Sequence, residues 1–319
     1  MMKGKFSALL TIFFFFLILL FPKTCVTGAG KGLVLWFHTV LPTLLPFLIL
    51  TNLLLETGAI HLLSKLTKPL FCRLFHVSEY GSIVILSGFL CGYPLGSKFT
   101  ADLLCRQKIS YREASYLLSF CNNTSPMFII SFFIQQNLNT PALTLPTLGI
   151  LIGSPVLCSF LFRKELIVYG EGHSTASPSR IKQETNGGLF DDCIMNGFET
   201  ITKIGGYMML FTILIELGSL LPFENPDLSP LLLSPLEMTT GIVSICQSSL
   251  AFCWKYIFSL ALISFGGFCC LVQTASMLQG SGLSIVPYIT QKLITAVVTS
   301  LLALCYCFFF INWRFYMNS

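Results

Sequence analysis

The residues that could bind a charged small molecule lie at interruptions in otherwise apolar segments. Residues 91–98 read Cys-Gly-Tyr-Pro-Leu-Gly-Ser-Lys and stand between two short apolar segments. Glycine and proline here predict that one helix ends and another begins near Ser97. The amino end of a helix carries unpaired N–H groups and positive dipole charge, so with the ammonium group of Lys98 it would suit an anion. Lys98 and Asp102 are four residues apart, however, and could instead pair on one helix face.

A second interruption concentrates polar side chains. Residues 122–126 read Asn-Asn-Thr-Ser-Pro between the apolar segments 116–121 and 127–134. Their amides and hydroxyls could bind a substrate through hydrogen bonds. They could also cap the two helix ends, since Ser125 precedes a helix where a serine cap is preferred. Both roles can hold together.

Ionisable residues in the second half are further candidates, because a charge within a membrane segment is costly to bury. Glu199 and Lys203 are four residues apart and could neutralise each other. Glu237, followed by Thr239 and Thr240, opens a short helix, where it could cap the helix or couple transport to a proton or cation. The sequence has none of the common hydrolase or zinc motifs, so we expect neither catalysis nor a metal or other cofactor.

Composition indicates where these candidates must lie. The chain has 319 residues, of which 54% are hydrophobic and 10% are charged, and its mean hydropathy is +0.78. Soluble domains carry roughly 25% charged residues, so the composition excludes a soluble enzyme and predicts an all-α, multi-pass protein of the lipid bilayer. The net charge of +5 is scattered, and we expect no nucleic-acid partner. The thirteen cysteines fit small packing residues better than disulfides.

The chain divides into four predicted parts. Residues 1–31 hold an apolar segment, interpreted as a retained transmembrane helix although a signal peptide would read similarly. Residues 32–162 and 190–319 form two repeats that contain broken helices, and residues 163–189 form a polar linker between them. Prolines 42 and 46 should bend or break the first span of the first repeat.

Two short echoes support the repeat. Residues 37–39, Phe-His-Thr, match Phe-Glu-Thr at 198–200, and Thr-Ala-Asp-Leu-Leu at 100–104 matches Thr-Ala-Ser-Met-Leu at 274–278. Duplicated membrane halves with broken helices are typical of secondary transporters. Irregular backbone is tolerated at membrane depth only where protein or a polar cavity surrounds it. The interruptions therefore predict the place of a polar substrate.

These motifs resemble a known family. Gly-Tyr-Pro-Leu-Gly-Ser-Lys at 92–98 and Asn-Asn-Thr-Ser-Pro at 122–126 are similar to central motifs of the sporulation integral membrane proteins of YlbJ type, which carry a nucleoside-recognition, or gate, domain. Weaker matches include residues 237–241 and Ser-Phe-Gly-Gly at 264–267 with Gln273.

The resemblance implies a multi-pass protein made in the mother cell of an endospore-forming bacterium. It implies transport of a small organic anion, dipicolinic acid, across the outer forespore membrane in support of spore maturation and cortex formation, with a proton or cation as a candidate coupling partner. Two alternatives stay open: a non-transporting assembly factor for cortex synthesis, and a nucleoside-type transporter. The predicted substrate-binding residues are Gly92, Tyr93, Pro94, Gly96, Ser97, Lys98, Asn122, Asn123, Ser125, Pro126, Glu199, Thr200, Glu237, Thr239, Thr240, Gly266, Gly267 and Gln273.

Overall fold

The computed structural model describes residues 2–163, 188–221 and 228–311. Every regular element in these ranges is helical, so the predicted all-α class is confirmed. Within the described ranges, five helices are long and apolar enough to cross a membrane, or six if one bent pair counts as a single span. The predicted polar linker falls almost wholly outside the described residues.

The first helices form one peripheral layer. Helix α1 (Met2–Leu20) is helical as predicted, although its apolar part, Thr11–Leu20, is shorter than the five candidate spans. Helices α2 (Pro22–Leu35) and α3 (Leu41–Glu56) are joined by the π-helical segment Trp36–Val40.

Of the predicted bend or break at Pro42 and Pro46, the break is wrong, because residues 22–56 run as one continuous span. Pro42 follows the π-helical segment directly and has no N–H group to donate to it. The wider turn of the π-helical segment, which lies just before it, accommodates the irregular hydrogen bonding.

The remaining helices complete the two halves. In the first half these are α4 (Ile60–Phe75), α5 (Glu79–Cys91), α6 (Leu95–Cys105), α7 (Tyr111–Cys121), the π-helix Phe128–Leu138 and α8 (Thr144–Phe162). In the second half they are α9 (Leu189–Gly218), α10 (Leu228–Leu233), α11 (Met238–Gln247), α12 (Phe252–Phe265), α13 (Gly267–Met277) and α14 (Ile285–Tyr306).

Contacts between helix termini define two ends of the bundle. At the first end, Arg106 pairs with Glu56 and the hydroxyl of Tyr111 lies 3.5 Å from the carbonyl oxygen of Gly282. At the second end, Lys31 pairs with Glu216 at 2.6 Å, and the Lys255 ammonium donates to the carbonyl oxygen of Cys246 at 2.9 Å. Helices α7 and α14 therefore begin at the first end, whereas α12 begins at the second.

Two helical hairpins enter the bundle from these opposite ends. Hairpin 1 consists of α5 and α6, which run from the first end to the interior and back around residues 92–94. Hairpin 2 consists of α10, the 3-10 turn Ser234–Leu236 and α11, which make the same excursion from the second end. Neither hairpin crosses the bundle, so both place their tips at its centre.

Each hairpin is followed by a span that is broken at mid-depth. The first broken span is α7 with the π-helix Phe128–Leu138, interrupted at 122–125. The second is α12 with α13, interrupted at Gly266, which takes a positive φ of 87°. Apart from α1 and α4, which occur in the first half only, both halves thus follow the order span, hairpin, broken span, span, in opposite directions.

The inverted order changes how the sequence match between residues 100–104 and 274–278 is interpreted. The segment at 100–104 lies in the returning arm of hairpin 1, whereas the segment at 274–278 lies in the second part of a broken span and at its end. Both segments run from the centre to the first end, but they belong to different elements. Their similarity in sequence therefore does not mark equivalent positions in the two halves.

Small residues fasten the peripheral layer to α9. A Cβ atom on Gly28 would lie 2.8 Å from the Cα of Ile213, and one on Gly205 would lie 2.7 Å from the Trp36 ring. The Trp36 indole N–H also donates to the carbonyl oxygen of Ile201 at 2.9 Å. Close backbone approach through small residues is the usual packing of membrane helices.

Candidate functional site

The tip of hairpin 1 is pressed against the interruption of the first broken span. A Cβ atom on Gly92 would lie 2.8 Å from the Ser125 amide nitrogen, and one on Gly96 would lie 2.3 Å from the Cys121 carbonyl oxygen. No real side chain tolerates such distances, so both motif glycines are required for contact. The amide of Ser97 donates to the Asn122 side-chain oxygen at 3.3 Å.

The same tip reaches across to the second half. The Tyr93 hydroxyl donates to the carbonyl oxygen of Ser264 at 2.9 Å, and a Cβ atom on Gly266 would lie 3.0 Å from the Tyr93 ring. The Thr124 hydroxyl donates to the carbonyl oxygen of Ile263 at 3.1 Å. The two broken spans and the tip of hairpin 1 therefore meet, and each supplies polar partners for the others' free backbone groups.

At the tip of hairpin 2, Glu237 caps α11. One of its carboxylate oxygens accepts from the Thr239 amide at 3.0 Å and the other from the Thr240 amide at 2.8 Å. Gly267, with a φ of 75°, leaves room for this tip, since a Cβ atom there would lie 3.0 Å from the Pro235 carbonyl oxygen. Of the two roles considered for Glu237, the capping role accounts for its observed hydrogen bonds.

A lysine occupies the centre of this arrangement. Lys292 lies on α14 and is 1% exposed. Its ammonium group donates to the Asn123 side-chain oxygen at 3.0 Å and lies 4.7 Å from the centre of the Tyr93 ring. The Tyr288 ring centre is 6.0 Å away. Lys292 forms no ion pair with the acidic side chains in the described part of the chain.

Asn122 connects the lysine's surroundings to hairpin 1. Its side-chain amide donates to the Thr274 hydroxyl at 3.0 Å and to the Tyr288 hydroxyl at 2.8 Å, while its oxygen accepts from Ser97. We call the group around Lys292 the central polar cluster. Its members are Tyr93, Asn122, Asn123, Thr274, Tyr288 and Lys292.

The charge balance of the central polar cluster is one-sided. It contains an ammonium group, two amides, three hydroxyls and two aromatic rings that face the ammonium group, but no carboxylate. Amide and ring partners stabilise a buried cation less than a carboxylate does. The arrangement can therefore accept an anion beside Lys292, which would supply the missing opposite charge.

Lys98, predicted to bind an anion at a helix end, pairs instead along its own helix in this structure. Its ammonium group pairs with Asp102 at 2.9 Å, one turn along α6. The amino end of α6 is also occupied, because the Asn122 side chain accepts from the Ser97 amide. The geometry supports the pairing role of Lys98, and the buried cation lies instead on α14.

Several predicted residues have local roles. The Glu199–Lys203 pair measures 2.7 Å, and both side chains are more than half exposed. The Thr200 hydroxyl donates to the Asn196 carbonyl oxygen of its own helix. Gln273 donates to the Cys269 sulfur at 3.1 Å.

Three further predicted residues shape the chain at the interruptions of the first half. Ser125 caps the next helix, and Pro126 opens that helix. Pro94 follows Tyr93 in a cis peptide bond.

The structure brings together residues that sequence reasoning separated. Tyr93, Asn122, Asn123 and Gly266, all predicted binding residues, lie together in the structure. Lys292 and Tyr288 were missed, because α14 read as an uninterrupted apolar span, and Thr274 on α13 was not among the predicted binding residues. A lysine inside such a span was itself a sufficient signal. Among the described residues, no group of three or more His, Cys, Asp or Glu side chains could hold a metal ion.

Cavities approach the central polar cluster from both ends. The first-end cavity, of about 270 Å³, lies between α7 and α14 and reaches Tyr288. The second-end cavity, of about 740 Å³, lies between α2, α9 and hairpin 2 and reaches Thr240 at the hairpin tip. Tyr288 belongs both to the cluster and to the lining of the first-end cavity, whereas no member of the cluster lines the second-end cavity.

Comparisons with known proteins agree with the motifs. Residues 37–156, which contain hairpin 1 and the first broken span, match the Gate family, described as nucleoside recognition. Over 328 aligned residues the chain is 26% identical to the Sporulation integral membrane protein YlbJ of Bacillus subtilis (strain 168), covering 91% of this chain and 80% of that protein. No solved structure matches. The resemblance predicted from the motifs is thus confirmed: this is a multi-pass membrane protein that is similar to the Gate family over residues 37–156 and to the YlbJ sporulation protein along nearly its whole length.

Proposed function

We propose that this chain is a sporulation membrane transporter that moves a small organic anion, dipicolinic acid, across the outer forespore membrane and so supports spore maturation and cortex formation. The observation that carries the proposal is Lys292, a buried lysine without a carboxylate partner in the described chain, where the helix interruptions converge. The similarity to a protein named for sporulation supports the cellular setting.

The charge of Lys292 favours an anion over a neutral nucleoside. A lysine held at membrane depth is stabilised strongly by a counter-charge, and the amide oxygen of Asn123 carries only a partial one. A bound carboxylate would replace this weak contact by a charge-assisted hydrogen bond. A neutral nucleoside would leave the lysine in its present state and gain nothing from it.

The other groups suit a planar dianion. Dipicolinate holds two carboxylates on one aromatic ring. One carboxylate would bind Lys292, and the amide of Asn122 and the hydroxyl of Tyr288, which now bond each other at 2.8 Å, could turn to the second. The rings of Tyr93 and Tyr288 flank the lysine and offer apolar faces to the substrate ring. These residues bind and release the anion without altering it, so we propose a carrier and not an enzyme.

The two cavities support alternating access. Each comes from one end of the bundle and stops at the centre, the first at Tyr288 and the second at the tip of hairpin 2. Withdrawal of one tip or the other would open the cluster to one side at a time, as expected of inverted repeats around a fixed site.

Uptake by proteoliposomes tests the proposal. Purified protein should take up radiolabelled dipicolinate, and Lys292→Gln should reduce the initial rate by about tenfold or more, equivalent to about 1.4 kcal/mol. Lys255→Gln is the matched control, since Lys255 also lies on a span but bonds only a backbone carbonyl; its rate should stay within about twofold. The variants are compared after their thermal unfolding confirms folding.

Three outcomes would reject the proposal. If folded wild-type protein takes up no dipicolinate, it is not a dipicolinate carrier. If Lys292→Gln transports dipicolinate at the wild-type rate, Lys292 is not the binding site. Uptake of uridine in place of dipicolinate would favour the nucleoside transporter. In cells, spores that lack the protein and are not restored by external dipicolinate would favour the assembly factor.

A further inference from the structure

We propose that the first-end cavity is the selective route by which the anion reaches the central polar cluster, with Arg112 as its charge filter and Tyr288 as its gate. This inference rests on the proposed function, because it concerns the path to the same lysine. It adds residues that neither the motifs nor the comparisons assign to any role.

The cavity has the shape of a route that ends at the cluster. It lies between the amino-terminal halves of α7 and α14, which both begin at the first end. Its volume of about 270 Å³ can hold a single-ring dicarboxylate. The residues that line it are Tyr111, Arg112, Ser115, Leu118, Leu283, Ser284, Pro287, Tyr288 and Gln291.

Arg112 makes the first-end cavity positively charged. It is the one charged side chain among the lining residues, and it is half-buried. The neighbouring Glu113 does not offset it inside the cavity, because its carboxylate lies outside the lining and accepts from the amide of Ser78 at 2.6 Å. An unopposed arginine in a narrow, apolar-walled cleft raises the local concentration of anions and lowers that of cations.

Tyr288 separates the cavity from Lys292. Its side chain lines the cavity and is 1% exposed, and its hydroxyl accepts from the Asn122 amide at 2.8 Å. Lys292 follows one helical turn deeper on the same face of α14. Rotation of the Tyr288 side chain away from Asn122 would therefore connect the cavity to the ammonium group.

Thiol labelling tests the charge filter without measuring transport. Ser115→Cys places a thiol in the cavity wall. Relative to their rates with a free thiol in solution, a sulfonate-bearing methanethiosulfonate should be favoured over the trimethylammonium reagent, and Arg112→Gln should reduce that preference by roughly fivefold or more. Arg106→Gln is the control, because Arg106 lies at the same end but pairs with Glu56 outside the lining; it should leave the preference unchanged. Mass spectrometry of the peptide separates labelling at position 115 from that of native thiols.

A second variant tests the gate. The Cys121 and Cys270 thiols are buried and lie within electrostatic range of Lys292. Tyr288→Ala should let the sulfonate reagent reach them from the first end, whereas Tyr288→Phe, which keeps the ring, should admit it much less.

The results separate this inference from the proposed function. Absence of labelling at position 115, or equal preference in the Arg112→Gln and Arg106→Gln backgrounds, would overturn the charge filter even if dipicolinate uptake succeeds. Equal protection of Cys121 and Cys270 in both Tyr288 variants would overturn the gate. Labelling as expected in a protein that takes up no dipicolinate would keep the route and reject the substrate.

Discussion

The two hairpins, each with its broken span, solve one structural problem in different ways. In both halves a hairpin tip packs closely against a helix interruption, and a glycine without a side chain permits the contact. This glycine is Gly96 in the first half and Gly267 in the second. The first tip is then satisfied by a side-chain amide, that of Asn122, whereas the second is satisfied by the carboxylate of Glu237. Equivalent backbone irregularity does not require equivalent chemistry.

The difference assigns the two tips to different tasks. The amide of Asn122 also bonds Thr274 and Tyr288, so the first tip is joined to the central polar cluster. The carboxylate of Glu237 accepts hydrogen bonds from the start of its own helix and from the Thr239 hydroxyl. We expect the first tip to shape substrate binding and the second tip to depend mainly on its cap for stability.

The largest effect is expected where a glycine permits contact. Gly96→Ala would place a Cβ atom 2.3 Å from the Cys121 carbonyl oxygen, and separating the two elements should cost several kcal/mol, on the order of 3. Gly149→Ala on α8 is the control, since no atom of another element lies within 4 Å of a Cβ atom placed there. Thermal unfolding in detergent should show a strong loss for the first variant alone; equal melting temperatures would show that hairpin 1 does not need this contact.

A smaller effect should follow removal of the cap of hairpin 2. Glu237→Ala deletes the acceptor of two amides and should lower stability by about 1–2 kcal/mol. Glu237→Gln keeps one acceptor oxygen and should lose less. Glu199→Ala, which removes an exposed paired carboxylate, provides the control. If Glu237→Ala instead abolishes uptake without a change in thermal unfolding, the carboxylate has a coupling role and the comparison between the tips must be revised.

The smallest effect is expected at Lys98. Its partly exposed pair with Asp102 along one helix is worth about 0.3–0.5 kcal/mol, so Lys98→Gln should change dipicolinate uptake by less than about twofold. Measured beside Lys292→Gln, this variant decides which of the two lysines holds the anion. A tenfold loss at Lys98 would return the site to the amino end of α6.

The interruptions were readable because backbone chemistry fixes them locally. Glycine and proline at 92–94 and the polar run at 122–126 cannot continue an apolar helix, and the structure breaks there. Hairpin 2 was harder to read, because Glu237 looks alike as a cap or as a binding group. The break predicted at Pro42 is absent, because the neighbouring π-helical segment accommodates the hydrogen bond that the proline cannot make.

The site itself depends on pairing that no local pattern contains. Lys292 and Asn123 are far apart in sequence and meet only because α14 packs against the interruption of the first broken span. Lys98, in contrast, has a partner four residues away, so helical spacing alone was enough to explain it. The opposite directions of the two halves could not be predicted either. The sequence match between 100–104 and 274–278 does not indicate the direction in which each half crosses the bundle.

The hydrogen bond from Tyr93 to the Ser264 carbonyl oxygen ties the two halves mechanically. If the hairpin that carries Tyr93 or the helix that ends beside Ser264 moved away, the Ser264 carbonyl oxygen would be left buried without a hydrogen-bond donor. Water or a ligand would have to replace this hydrogen bond as the two halves separate. In the proposed carrier, the bond would therefore keep the bundle closed against leakage while no anion is bound.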